Sequence, residues 1–248
     1  MVTLLLIISH LIGDFVLQSA KISTEKQQYF SKLVKYCLLY TFVVAAVLLM
    51  SIDFRSSIIP IVIIAIVHFA IDYARVLLDK KASARVQVFS YFIDQILHFG
   101  VIFIIAYSFN LEIHIGSFLQ SAMNAFGKED INNCIIYVLI YLVMLQPAAV
   151  TVKKMLAYIS SQEHKDKDAE TVAPYNAGYL IGILERIIVA ALVLENQLSA
   201  IGFVLAAKSL ARFNQLNDKE FAEKYLVGSL TSIAISIVIT LILKSMLL

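Results

Sequence analysis

Apolar runs broken by short polar segments follow one another along the whole chain, and eight of them are continuous enough to form membrane-crossing helices. The predicted crossings cover residues 2–18, 36–51, 57–76, 87–107, 132–152, 176–195, 199–213 and 225–247; the seventh is the shortest, and a count of six to eight fits the pattern. Residues 111–126 differ in kind, because Ile115, Phe118, Leu119, Ala122, Met123 and Phe126 recur at helical spacing with Ser117, Gln120, Ser121 and Asn124 between them. That alternation predicts a short helix lying on the membrane surface. Residues 160–174 (SSQEHKDKDAETVAP) mix both charges and end at a proline, which predicts a polar cytoplasmic linker with His164 solvated.

The expected fold class is therefore all-α, a polytopic transmembrane helical bundle forming one integral membrane domain over 1–248. Its motif-bearing spans fall within 1–107 and a second group within 132–248. Composition agrees: 60% of residues are hydrophobic, only 15% are charged, and mean hydropathy is +0.83. A soluble chain carries about a quarter charged residues. A net charge of +2 gives nucleic acid no claim on the chain. The first 18 residues lack a basic leading region and carry His10 and Asp14 inside the apolar run, so they read as a retained span rather than a signal peptide. Cys37 and Cys134 fall in predicted spans and are expected to be small buried hydrophobes.

Basic residues orient the bundle. Lys and Arg alternate along the connecting segments: Lys21, Lys26, Lys32 and Lys35; Arg55; Arg75, Lys80, Lys81 and Arg85; Lys128; Lys153, Lys154, Lys165 and Lys167; none; Lys208, Arg212, Lys219 and Lys224; Lys244. The positive-inside rule then puts both termini outside a cytoplasmic membrane. Tyr36, Tyr40, Tyr73, Tyr91, Tyr107, Tyr175 and Tyr225 fall near predicted span ends and are expected to anchor there.

Against this apolar background three polar pairs stand out: His10-x-x-x-Asp14, His68-x-x-x-Asp72 and the reversed Asp94-x-x-x-His98. A spacing of four sets both members on one helix face, about 6 Å apart along the axis. The reversed pair lies on a span running the other way, so all three present each Asp nearer the cytoplasm than its His. Three imidazoles and three carboxylates at one depth make a plausible divalent-metal site, zinc foremost, with manganese or iron also suited. Either one metal with carboxylates orienting the histidines or two bridged metals would satisfy six ligands. Gln18, one turn below Asp14, and Gln95, beside Asp94, are placed to bind a ligand or substrate. The competing readings are pairs satisfied for packing alone and a proton relay.

A second polar group lies later in the chain. Glu185 and Arg186 sit mid-span, and Lys208 and Arg212 share a face at spacing four. One reading is a neutralised cation, with Glu185 or Glu195 as counter-ion and basic side chains reaching the headgroups. The other is an anion clamp for a lipid phosphate. Gly178 and Gly182 form a GxxxG that permits close helix contact.

At HLIGDFVLQ (His10 to Gln18), HFAIDYAR (His68 to Arg75), DQILH (Asp94 to His98) and ERIIVAALVLENQLSAIGFVLAAKSLARF (Glu185 to Phe213), the chain resembles a family of bacterial integral membrane proteins classed as a domain of unknown function. It also looks like the companion membrane protein of a small streptococcal secretion and acid tolerance operon. The resemblance implies a bacterial inner-membrane location and brings no activity with it. In pattern alone, the His and Asp placement is loosely similar to membrane-bound metal-dependent hydrolases and to cation diffusion facilitator zinc transporters.

Three functions fit. The first is an intramembrane metal-dependent hydrolase, such as a phosphoesterase, acting on a lipid or isoprenoid-linked, phosphate-bearing substrate at the cytoplasmic leaflet. His10, His68, His98, Asp14, Asp72 and Asp94 would hold the metal, one carboxylate or Glu185 would act as base, and Arg186 and Lys208 would stabilise negative charge. The second is a divalent-metal transporter built on the same six groups. The third is a non-catalytic, pH-responsive sensor or assembly partner. Membrane lipid is the expected partner in each case, and the oligomeric state is open.

Overall fold

In lipid every backbone N–H and C=O must find its partner within its own segment, so the long apolar runs become helices. The computed structural model describes residues 1–80, 82–163 and 177–247. Lys81, His164, Lys165, Lys167, Pro174, Tyr175 and the rest of the polar linker beyond Glu163 lie outside the described residues.

The chain opens with α1 (Val2–Leu11), which passes into a π-helical turn (Ile12–Val16). There follow α2 (Ala20–Gln28), α3 (Phe30–Ser51), α4 (Phe54–Asp79), α5 (Ala84–Ser108), α6 (Ser117–Phe126), α7 (Lys128–Met144), α8 (Gln146–Glu163), α9 (Ala177–Leu194), α10 (Leu198–Ala211) and α11 (Lys219–Lys244). Among the described residues there is no strand, only an isolated bridge between Ile52 and Ile115. Among the described residues, five stretches are long and apolar enough to cross a membrane: α3, α4, α5, Lys128–Tyr158 and α11. A sixth arises if Val2–Val16 and Lys21–Gln28, bent by 83°, count as one broken span. The protein is an all-α, multi-pass membrane protein.

Three details differ from the sequence pattern. α3 begins at Phe30, six residues before the predicted start at 36, because the residues at its N-terminal end continue the helix. The predicted crossing at 132–152 is made by two helices that meet at Leu145, just before Pro147, which has no N–H to donate. Residues 20–28, expected as loop, form α2, with the Ser19 hydroxyl accepting from the Ile22 N–H as its N-cap.

The chain divides into two compact units, Met1–Ile135 and Ile136–Leu247. In the first, α3 packs on α1 and α4, and α5 packs on α4 and α1, so the four helices close a ring. Each buries a narrow stripe. In α4 that stripe is Ser57, Pro60, Ile64, His68, Asp72, Val76 and Asp79, while Ile58, Ile59, Val62 and Ile66 face outward. The apolar end of the ring is filled by Val2, Leu6, Val44, Leu48, Ile64, Ile102 and Ile105, closed over by Leu111 and by Leu119 of α6. α6 is amphipathic as predicted, with Leu119 buried and Phe118 and Phe126 exposed.

In the second unit α11 packs on α8 and α9, with α10 against α9, around Val189, Val193, Ile201 and Ile233. Asn196 adopts φ +57° just past α9, and Lys244 Nζ donates to the carbonyls of Val193 (2.9 Å) and Leu194 (2.7 Å), satisfying the open end of that helix.

Candidate metal centre

The buried stripes of α1, α4 and α5 turn from apolar to polar at the same level, and there the structure brings His10, Asp14, His68, Asp72, Asp94 and His98 together. All six are buried, from 0% exposed for His10 to 9% for Asp14. His68 Nε2 lies 4.0 Å from Asp14 Oδ1 and 3.9 Å from Asp72 Oδ2, and His10 Nε2 lies 4.0 Å from Asp14 Oδ2. The rings of His10 and His98 stack with centroids 5.1 Å apart.

Hydrogen bonding fixes which nitrogen carries each proton. His98 Nδ1 stands 2.8 Å from the Asp94 backbone carbonyl, which can only accept, so Nδ1 carries hydrogen. In a neutral His98 the other nitrogen, Nε2, then accepts from His68 Nδ1 at 2.8 Å. His68, if also neutral, is left with a lone pair on Nε2, and that atom is buried with no hydrogen-bond partner. Its lone pair faces the carboxylates of Asp14 and Asp72. Such an arrangement is repulsive until a cation enters.

Five further groups, none predicted for the site, complete it. Tyr36 donates to Asp14 Oδ1 at 2.6 Å, and Lys26 Nζ, itself buried, pairs with Asp72 Oδ2 at 2.9 Å. Arg75 pairs with Asp94 Oδ2 at 2.8 Å and approaches Asp79 at 3.5 Å. Tyr40 lies flat on His68, centroids 3.5 Å apart, with its hydroxyl 3.2 Å from His10 Nδ1. Cys37, with His68 and Asp72, offers ligand atoms all within 4.8 Å of one another, as do Asp14, Asp94 and His98. Tyr36, Tyr40 and Tyr91 are thus buried rather than interfacial, because the early start of α3 and the length of α5 carry them inside. Tyr73 and Tyr107 do stay exposed. Cys37 is buried as expected, and its place beside His68 and Asp72 gives the cluster a thiol that the spacing argument lacked. Cys134 is exposed rather than buried.

Both predicted glutamines reach the cluster. Gln95 Nε2 donates to Asp94 Oδ2 (3.1 Å) and Asp14 Oδ2 (3.5 Å), while its oxygen stands 3.4 Å from His10 Nε2. With its amide oxygen turned to Lys26, Gln18 accepts from Nζ at 3.0 Å and donates to the Asp14 carbonyl at 3.0 Å. Counting Asp14, Asp72, Asp79 and Asp94 against Lys26 and Arg75 leaves four carboxylates facing two cations. Buried charge of one sign calls for a partner.

Asp14 itself sits in the π-helical turn, where the Leu17 N–H reaches back to the Ile12 carbonyl at 2.9 Å. Such one-residue bulges re-aim a side chain. The ring of Tyr40 fills the space beside Gly13, so that a Cβ there would meet Tyr40 Cδ2 at 2.5 Å. Gly13→Ala would gain helix propensity, yet overpacking of this kind costs about 1–3 kcal/mol and wins. Equilibrium unfolding in mixed micelles should show that loss, and shortening Tyr40 to Leu in the same chain should reduce it. A stabilised Gly13→Ala protein would show that the ring is free to move.

The remaining predicted residues belong to the second unit. Glu185 pairs with Lys208, as the neutralising reading requires, and Glu195 is exposed. Arg186 donates from Nε to the Met144 carbonyl (2.8 Å), from Nη2 to the Leu145 carbonyl (3.3 Å) and from Nη1 to Ser232 (3.4 Å). Arg212 closes the C-terminus of α10 beside Gly178.

Compared with known proteins, residues 2–126 match the family model described as "Protein of unknown function (DUF3307)", half of the 248-residue chain. The match takes in every residue of the His/Asp cluster and stops short of Glu185 to Phe213. No curated protein and no solved structure matches the chain.

Proposed function

We propose that this chain, which belongs to the DUF3307 family of proteins of unknown function, is a bacterial inner-membrane hydrolase whose His/Asp cluster holds a resident divalent cation. Zinc is the cation that the mixed imidazole and carboxylate donors suit best, and a lipid or isoprenoid-linked phosphoester at the cytoplasmic leaflet is the substrate class. Both termini would lie outside, in keeping with the alternation of basic segments.

The observation that carries the reading is His68 Nε2, buried, unpartnered and facing two carboxylates at 4.0 and 3.9 Å. A tetrahedral zinc with bonds of about 2.1 Å needs these atoms only about half an ångström closer. Residence, rather than passage, is favoured because the donors around the free His68 nitrogen are already oriented: Asp14 by Tyr36, Asp72 by Lys26, and the His68 ring by His98, which the Asp94 carbonyl holds in turn. When bound, the cation would lower the pKa of a coordinated water toward neutrality. Asp94 Oδ1, a second buried atom of the cluster without a partner, is the carboxylate oxygen free to take that proton. Lys26 and Arg75 are the cations at hand to balance developing negative charge.

The test begins with metal content. Full-length protein purified in detergent should carry one or two divalent ions per chain by inductively coupled plasma mass spectrometry, and His68→Ala should lower occupancy about tenfold or more. Protein without metal, and unable to take any up, would remove the reading and leave the pH-responsive alternative. Metal-loaded protein should then release phosphate from phosphatidic acid or farnesyl diphosphate in mixed micelles.

One observation favours a divalent-metal transporter instead: the first apolar stretch, with Asp14 in its π-helical turn, breaks off after Val16 with a bend of 83°, and discontinuous helices are how transporters bind ions mid-membrane. Sealed vesicles holding a metal-sensitive dye separate the two. Flux abolished by Asp72→Asn would assign a transporter, and tightly held metal without flux an enzyme.

A further inference from the structure

The second unit contains an open-sided cavity of about 400 Å³ lined by α8, α9, α10 and α11. Five basic side chains line it, namely Lys153, Arg186, Lys208, Arg212 and Lys224, against the single carboxylate of Glu185. Glu185 is taken up by Lys208, and Lys224 pairs with Glu220 outside the cavity at 2.5 Å. Among the described residues neither Arg212 nor Lys153 has a carboxylate within ion-pair distance. The cavity therefore carries a net positive lining.

Two further observations show that this space is shaped rather than incidental. Ser229 is 4% exposed, lines the cavity, and its hydroxyl has no hydrogen-bond partner. A buried hydroxyl left unpaired costs free energy unless something polar meets it. The second observation concerns α9, where Gly182 leaves room for the Arg186 guanidinium and Gly178 lies in ordinary contact distance of Arg212. Cβ atoms built there would stand 3.9 Å from Arg212 Nη2 and 3.3 Å from Arg186 Nη1. Gly182 thus makes room for Arg186, not only for a neighbouring helix. Beside this polar end, Val152, Leu156 and Ile181 form an apolar wall.

We propose that the cavity binds a phosphate or diphosphate group, with the apolar wall accommodating a hydrocarbon chain attached to it. The Arg212 guanidinium matches phosphate oxygens in pairs, Lys153 supplies point charge, and the Ser229 hydroxyl gives one neutral donor, while Arg186 is held by its own carbonyls and adds only its charge. The site stands independently of the metal centre, since it is built entirely within the other unit and needs no metal for its test.

Full-length protein in detergent is offered phosphatidic acid, phosphatidylcholine or inorganic phosphate, and retained ligand is counted by native mass spectrometry. Phosphatidic acid should be retained in preference to phosphatidylcholine, and Arg212→Gln and Lys153→Gln should each weaken it about tenfold. Ser229→Ala, which removes one oxygen, should cost about threefold. Lys219→Gln, at a side chain 91% exposed and outside the cavity, should change nothing. Competition by inorganic phosphate with phosphatidic acid still bound assigns a lipid headgroup; phosphate bound with phosphatidic acid refused assigns a free anion. Either supports a phosphate site. Equal retention of the two lipids without phosphate binding, or losses in the cavity variants no larger than in Lys219→Gln, would overturn it.

Discussion

Lys26→Met is expected to destabilise the metal-free protein by about 3–5 kcal/mol, the cost of leaving a buried carboxylate without its partner. Lys26 and Asp72 are 6% and 1% exposed at the side chain, and their bond of 2.9 Å is supported by the Tyr36 ring, 4.2 Å from Nζ. Methionine keeps the length and apolar contact of lysine, so the change isolates the charge. Asp72→Asn should cost less, because α2 carries Lys26 at its polar end and can return the ammonium to water. The double variant should recover most of the loss, since it leaves no uncompensated charge, and the difference is the coupling energy of the pair. Unfolding in mixed micelles with chelator present measures all three. Excess zinc should then rescue Lys26→Met more than the parent, because a cation bound at Asp72 replaces the one removed. If Lys26→Met is as stable as the parent, α2 does not dock as described. If it is unstable and zinc restores nothing, the ion pair stands and the metal centre falls.

Why the six histidines and aspartates could be foreseen while their partners could not follows from where the information lies. A spacing of four on a long apolar helix is local, and orientation follows from the charge of the flanking segments. Lys26 was counted among those flanking charges, as was Arg75. Nothing between residues 18 and 36 states that the chain turns back to bring an ammonium to Asp72; that depends on the bend after the π-helical turn. Other parts were open to inspection. Arg75 falls three residues after Asp72 and four before Asp79, on the same face, and Tyr36 and Tyr40 share a face at spacing four with Cys37 beside them. A stricter reading of the second span as part of the site would have found them. Pro147 likewise announces the break between α7 and α8.

That break sets the second large expectation. Arg186→Met should lower the stability of the second unit by about 3–5 kcal/mol, because hydrogen bonds from a charged donor to groups shut away from water contribute about 1.5–3 kcal/mol each. The guanidinium, 3% exposed, spans the carbonyls of Met144 and Leu145, where the end of α7 leaves acceptors with no partner further along its own helix. Arg186→Lys keeps the charge but cannot reach both carbonyls and Ser232 from one fork, so it should recover about half of the loss. Helix content would change little in either variant; the midpoint of unfolding, followed by proteolysis within the second unit, carries the signal. A residue whose task is to bind an anion gives the opposite signature, weakened phosphatidic acid retention at full stability, as expected for Arg212→Gln. Arg186→Met that unfolds like the parent would return Arg186 to the ligand side of the cavity and leave the junction before Pro147 to be satisfied by other means.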